Sequence, residues 1–305
     1  MSAAASALLG GRPLGSLPAP VIEPGFFAAE DVRVAIVVGA IVAVVAGAVG
    51  VFTVIRGQSF AGEALGDVNT TGGAAALLAG VGPLLGFVVV GVVAAGAMEL
   101  IGIQRPRGRD LATGIVLGAA LGLAALLLYL VTTLHSVTGA TQMILFGSVF
   151  TVASSTIAPV AALSAAVLAL VALLCRPLLL SSVSAEMASA RGIRVRLVGA
   201  AYLLALAVTV SLAAFTIGTI LSTALLVGPA ASALRLTRRP GAAIAVAGLL
   251  GVAAMWLGIL LAYDSFDWPP VGKGWPVSFF VVTLIFLGYL LSGLPGLLQR
   301  RARGA

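Results

Sequence analysis

Apolar residues fill most of the chain in nine long runs, which short polar segments separate. Each run is long enough to cross a hydrocarbon core of about 30 Å as a helix, because a helix rises about 1.5 Å per residue. The pattern predicts an all-α, polytopic membrane bundle with about nine transmembrane helices. The runs cover 32–55, 60–80, 82–103, 111–133, 157–180, 195–215, 217–236, 241–263 and 276–298.

The composition excludes a soluble fold. Hydrophobic residues make up 61% of the chain and charged residues only 9%, and the mean hydropathy is +1.19. Soluble domains carry about 25% charged residues, so this chain would have too few polar side chains to cover a surface in water. We divide the chain into a mobile tail at 1–30, one transmembrane domain at 31–298 and a basic cytoplasmic tail at 299–305.

The basic residues predict the orientation of the bundle, since short cytoplasmic loops retain Lys and Arg. Alternate loops hold 14 of the 17 basic residues. An odd number of spans with these loops inside places the N-terminus outside and the C-terminus inside, which reporter fusions after Arg191 would test. The 14 residues are Arg56, Arg105, Arg107, Arg109, Arg176, Arg191, Arg194, Arg196, Arg235, Arg238, Arg239, Arg300, Arg301 and Arg303.

Two short segments between spans also predict structure. Residues 138–152 are apolar but too short to cross, which indicates an interfacial or re-entrant helix. Between spans five and six, Ser184 can cap a helix that has Glu186 in its first turn and Arg191 in its last. Gly192 follows as a stop signal. We predict a two-turn cytoplasmic helix there.

Two carboxylates in the second run are the candidate chemistry of the chain. Glu63 and Asp67 are four residues apart, so a helix places them on one face, where like charges repel. A shared proton, a nearby Arg or a bound cation can offset that repulsion. Asn69 adds a further oxygen, and a helix this polar has to be enclosed by other helices. The segment is typical of the lining of a cation pathway.

Other polar residues in the membrane runs are weaker candidates. Thr219, Ser222 and Thr223 follow one side of the seventh run and can line the same pathway, although such hydroxyls more often bond to their own helix. Glu99 lies near the inner end of the third run, where we expect it to reach the surface or to pair with Arg105.

The sequence argues against enzymatic chemistry. The only lysine, Lys273, lacks a G-x-x-x-x-G-K context, so the chain contains no phosphate-binding loop for ATP hydrolysis. A chain of this kind can transport a cation with energy from a separate ATPase, and two alternatives to that function stay open. A proton- or ion-coupled secondary transporter would use the same carboxylates, and a membrane subunit of a redox complex would need haem- or quinone-associated residues that the sequence lacks.

Four segments, in order, resemble the permease subunits of the ABC-3 family, which import zinc, manganese or iron. The strongest similarity lies in 51–73, in which an R-x-x-S-F motif precedes the two carboxylates. The segments read VFTVIRGQSFAGEALGDVNTTGG (51–73), DLATGIVLGAALGL (110–123), ILFGSVFTV (144–152) and TIGTILSTALLVGPAASA (216–233).

The resemblance implies roles for the motif residues. Glu63 and Asp67 match metal-contacting positions that hold an Asp and a His in the family. Asn69, which lies nearby in the same run, is a weaker candidate for a third ligand. The inner helix resembles the coupling helix that docks on the ATPase, with Ser184, Glu186, Ala188, Arg191 and Gly192.

The resemblance also implies partners in the cell membrane. These are a cytoplasmic ATP-binding subunit, an extracytoplasmic metal-binding lipoprotein and a second permease copy. The divalent metal, Mn, Zn or Fe, is the transported substrate, and no other cofactor is expected.

Overall fold

The computed structural model describes residues 26–27, 29–101, 109–134, 140–147, 149–268 and 274–303, and the side chains of 109, 110, 112, 140, 141, 267 and 294–303 lie outside this description. This part of the chain contains eleven α-helices and no β-strand, which confirms the all-α prediction. The helices are α1 (Glu30–Ile55), α2 (Ser59–Leu78), α3 (Pro83–Ile101), α4 (Arg109–Leu134), α5 (Ala140–Phe146), α6 (Ile157–Val183), α7 (Ala185–Ala190), α8 (Val195–Ile217), α9 (Ser222–Leu236), α10 (Pro240–Asp264) and α11 (Val277–Arg303).

Nine of these helices coincide with the nine apolar runs, and six of them are long and apolar enough to span a membrane. The other three differ for separate reasons. α2 is too polar, α9 has only 15 residues, and the apolar part of α11 covers Val277–Gly293. The chain is therefore a multi-pass membrane protein. Nine crossings and an outside N-terminus stay predictions.

α1 lies at the centre of the bundle, packed against α6, α8, α9 and α10. In lipid the hydrophobic effect does not join helices, so close packing of small residues has to do so. A Cβ added at Gly47 would lie 2.7 Å from the backbone nitrogen of Gly248, which shows how near α10 approaches. Small residues in the apolar runs are thus needed for packing.

The span predicted at 217–236 is wrong at its start. α8 continues to Ile217, Gly218 takes a φ of 90°, and α9 begins only at Ser222. The backbone N–H groups of the intervening turn donate to the carbonyls of α5, Thr219 to Ile144 at 3.1 Å and Ile220 to Leu145 at 3.4 Å. The residues of this turn are apolar enough to continue a helix, so the hydropathy pattern did not predict the break.

The two predicted short helices are present. α5 lies within the predicted segment 138–152 and ends before Gly147, which has a φ of 78°; residues 138, 139 and 148 lie outside the described part. In α7 the Ser184 hydroxyl accepts a hydrogen bond from the Met187 backbone N–H at 3.2 Å, which is the predicted N-cap. Arg191 follows the last helical residue as its C-cap, and Gly192 takes a φ of 78°.

Candidate functional site

α2 has one open face, and its other faces are buried. The buried side contains small residues such as Ala61, Gly62 and Ala64. On the remaining side Phe60 is 48% exposed, Glu63 is exposed and Asp67 is half-buried. The spacing of three and four residues places them along one stripe. The structure therefore brings the two predicted carboxylates to the same open face.

Glu63 opens into a cavity of about 590 Å³ between α2, α9 and α11. Thr223 and Tyr289 supply further oxygen atoms to its wall, and most of the rest is apolar. The apolar lining includes Phe60, Ile220, Val227, Val282, Ile285 and Phe286. The cavity combines a charged group with a wall that offers few competing polar contacts.

The three predicted hydroxyl residues lie in the turn before α9 (Thr219) and in the first turn of α9 (Ser222 and Thr223), and they have different surroundings. Thr219 and Ser222 are buried, and the Thr70 hydroxyl donates to that of Thr219 at 3.0 Å. A Cβ at Gly66 would lie 2.7 Å from the Ser222 oxygen, so α2 and α9 touch at this point. Thr223 lines the cavity, whereas Thr219 bonds to α2 and Ser222 packs against Gly66 and donates to the Thr219 carbonyl at 2.9 Å.

Asn69 does not line the described cavity. Its side chain is fully buried, and its Oδ1 accepts a hydrogen bond from the Ser211 hydroxyl of α8 at 3.4 Å. A Cβ at Gly91 would lie 3.0 Å from the same oxygen, which places α3 against it as well. Six residues beyond Glu63 a helix has turned by about 240°, so Asn69 points to a different side of α2.

The described residues do not contain a group of three or more His, Cys, Asp and Glu side chains that could hold a metal. Glu63 and Asp67 are two carboxylates on one face, and a cation between or beside them relieves their repulsion. Carboxylate and hydroxyl oxygens are ligands that divalent cations accept.

An arginine–tyrosine pair at the α11 side of the cavity was missed by the sequence analysis. The Arg235 guanidinium lies over the Tyr289 ring, 3.7 Å from its centroid, and donates to the Tyr289 hydroxyl. Tyr289 lines the cavity, so the pair ties the end of α9 to α11 beside it. The two residues are 54 positions apart, and no local pattern joins them.

Within the described residues, Glu99 pairs with Arg196. Its Oε1 lies 3.5 Å from the Nε of Arg196, which joins the end of α3 to the start of α8. Arg105 lies outside the described residues. The Arg196 side chain is 80% exposed, so this contact contributes about 0–1 kcal/mol.

One side of the helix α7 packs against the bundle, and the other side is exposed. Ala188 is fully buried, and its carbonyl accepts the Ile193 backbone N–H at 3.0 Å. Glu186, Met187 and Arg191 are exposed. Ala188 therefore seats the helix against the bundle, and the exposed residues form the surface that a partner could reach.

Comparison with known proteins shows similarity over most of the chain to a family of transport proteins. The model of the ABC 3 transport family matches residues 28–292. A manganese transport system membrane protein, MntC of Halalkalibacterium halodurans, is 30% identical over 266 residues, which are 87% of this chain and 88% of the relative. A manganese import system permease protein, ScaB of Streptococcus parasanguinis, is 30% identical over 234 residues, 75% of this chain and 81% of the relative.

A solved structure has the same fold. In PsaBC from Streptococcus pneumoniae in complex with Fab, one chain superimposes with a TM-score of 0.75 at 26% identity. The match covers 88% of this chain and 93% of the other. The likeness therefore extends over nearly all of the helical bundle.

Proposed function

Because the chain belongs to the ABC 3 transport family, we propose that it is the membrane permease of an importer whose main cargo is Mn²⁺. The observation that carries the proposal is the pair Glu63 and Asp67 on one open face of α2, beside the cavity. Relatives named for manganese transport support the same cargo. The ion would pass along this face.

Ligand chemistry favours Mn²⁺ modestly. Glu63 and Thr223 line the cavity with a carboxylate and a hydroxyl, and Asp67 offers a second carboxylate on the same face of α2. Oxygen donors suit Mn²⁺, whereas imidazole and thiolate suit Zn²⁺, although Zn²⁺ also accepts carboxylates. A weak site of this kind controls how many ions pass more than which ions pass. Selection would rest mainly with a binding protein that delivers the metal.

The energy source would be a separate subunit. The sequence contains no phosphate-binding loop, and α7 projects exposed residues from the predicted inner side. We assign α7 to docking on a cytoplasmic ATP-binding subunit. An extracytoplasmic metal-binding lipoprotein and a second copy of this chain complete the assembly that we propose.

Metal uptake tests the function directly. In cells that lack other Mn²⁺ importers, this chain produced together with its ATPase and binding protein should restore Mn²⁺ accumulation. Replacing the phosphate-loop lysine of the ATPase should return accumulation to the background of the empty strain. Uptake that survives this change would favour an ion-coupled secondary transporter and overturn the proposal.

Docking through α7 can be tested at Met187, which is 52% exposed. Met187→Asp should lower co-purification of the ATPase subunit several-fold, because it places a charge on an apolar contact. An acidic residue in the first turn favours the helix dipole, so α7 itself should stay folded.

Gly82→Asp is the matched control, because a Cβ there meets no atom within 4 Å and the residue lies in the turn between α2 and α3, at the predicted outer end of the bundle. It should leave co-purification unchanged. Equal co-purification in both variants would remove Met187 from the docking surface.

A further inference from the structure

Arg56 joins three helices at the predicted inner end of the bundle. It follows the last residue of α1 as its C-cap. Its Nη1 donates to the hydroxyls of Ser181, at 3.1 Å, and Ser182, at 3.4 Å, in the last turn of α6. Ser184, which caps α7, comes two residues later. The guanidinium therefore reaches the segment that leads directly into the docking helix.

The two serines are oriented to accept these hydrogen bonds. Each hydroxyl donates to the carbonyl of Leu178, Ser181 at 3.1 Å and Ser182 at 2.6 Å, which leaves the oxygen lone pairs for Arg56. Hydrogen bonds from a charged donor are stronger than neutral ones. The Arg56 side chain is half-buried, so its charge is partly shielded from solvent.

Tyr202 of α8 also contacts the Arg56 guanidinium. The guanidinium lies 5.3 Å from the centroid of the Tyr202 ring, which is fully buried. The Tyr202 hydroxyl lies 2.7 Å from the Thr53 hydroxyl, which itself donates to the Val49 carbonyl at 3.0 Å. The last turns of α1 are thus bound to α8 next to the arginine.

The turn after Arg56 is short and closed by hydrogen bonds. Gly57 takes a φ of 63°, and the backbone N–H of the buried Gln58 donates to the Thr53 carbonyl at 2.9 Å. The Gln58 carbonyl then accepts the N–H of Gly62 at 3.0 Å, in the first turn of α2. Glu63 is the next residue. The end of α1 and the start of α2 therefore form one continuous hydrogen-bonded unit.

We propose that Arg56 is a positioning residue that transmits movement of α7 to Glu63, and so ties ATP hydrolysis to the passage of the metal. This inference rests on the proposed function. A displacement of α7 moves Ser181 and Ser182. Because Arg56 is bonded to both serines, the displacement also moves the turn between α1 and α2, and with it the first turn of α2. Without the guanidinium, the docking helix and the carboxylate face would move more independently, and the ATPase would run without moving metal.

The test measures how much ATP is hydrolysed for each Mn²⁺ ion imported. The complete transporter, with ATPase and binding protein, is placed in vesicles as wild type, as Arg56→Gln, as Ser181→Ala with Ser182→Ala, and as all three changes together. Arg56→Gln should raise the ATP used per ion about fivefold, a size usual for residues that couple two sites. The serine variant should raise it less.

A double-mutant cycle shows whether these groups act together. The triple variant should use no more ATP per imported ion than Arg56→Gln alone, because the serines act through the arginine. Arg238→Gln, which removes an exposed arginine on the predicted inner side, should keep the wild-type ratio.

The outcomes separate the two proposals. An unchanged ratio in an active transporter, or strictly additive effects, overturns the role of Arg56 and leaves the proposed function standing. A wild-type transporter that imports no Mn²⁺ overturns both. Should Arg56→Gln fail to assemble, the serine variant decides, since it removes only two hydroxyls from the partly buried end of α6.

Discussion

Replacing Glu63 by Gln, or Asp67 by Asn, is expected to lower Mn²⁺ accumulation about tenfold or more. A unit charge about 4 Å from an ion contributes roughly 1 kcal/mol in bulk water and roughly 4 kcal/mol near a protein surface. A difference of about 1.4 kcal/mol is tenfold in an equilibrium constant. Both amides keep the shape of the side chain and remove only its charge. Accumulation of the metal in cells lacking other importers, at matched protein amounts, measures the effect.

Glu30→Gln is the control for this loss. Glu30 is an exposed carboxylate in the first turn of α1 and does not line the described cavity, so its replacement should keep uptake near wild type. Asp67→His restores the imidazole that the resemblance places at this position, and it should raise Zn²⁺ uptake relative to Mn²⁺. Wild-type uptake by both the Glu63 and the Asp67 variants would show that the pathway lies elsewhere.

Gly218→Ala should destabilise the bundle more than Gly80→Ala or Gly82→Ala. Gly218 takes a φ of 90° between α8 and α9, and an added Cβ would lie 2.6 Å from the Gly147 nitrogen. Backbone strain of this kind costs about 1–3 kcal/mol and overpacking about 1–3 kcal/mol more. That sum is a large share of a net stability of about 5–15 kcal/mol. Thermal unfolding of the purified protein in detergent should therefore begin well below the wild-type temperature.

Two other glycines distinguish the effect of backbone strain from the effect of overpacking. Gly80 has a φ of 68° but open space around its Cβ, and Gly82 has open space without a positive φ. Gly80→Ala should cost about 1 kcal/mol, because only the backbone conformation opposes it. Gly82→Ala should be nearly neutral. If all three variants unfold alike, the close contact between Gly147 and Gly218 does not hold the bundle together.

Sequence patterns predict this fold well wherever the information is local. The hydropathy of each run locates its helix, and the capping residues Ser184 and Gly192 locate α7, because both signals arise within a few neighbouring residues. The spacing of Glu63 and Asp67 likewise predicts their shared face. Helical geometry could also have excluded Asn69 from that face, and the sequence analysis overlooked it.

Contacts between distant positions could not be predicted. The break at Gly218 depends on the carbonyls of α5, which lie more than 70 residues earlier in the chain. The Arg235–Tyr289 and Glu99–Arg196 pairs depend on how helices cross, which hydropathy does not encode. Ala188 illustrates the same point, because a short helix with mixed residues does not reveal which side faces the bundle.

The apolar wall around Glu63 has a consequence for the resting membrane. Ile220, Val282 and Ile285 offer an ion nothing in exchange for the water it would shed. Narrow apolar passages also tend to empty of water, which interrupts any chain of molecules along which protons could hop. For the transporter that we propose, such a wall would limit the leakage of ions and protons across the membrane between transport cycles.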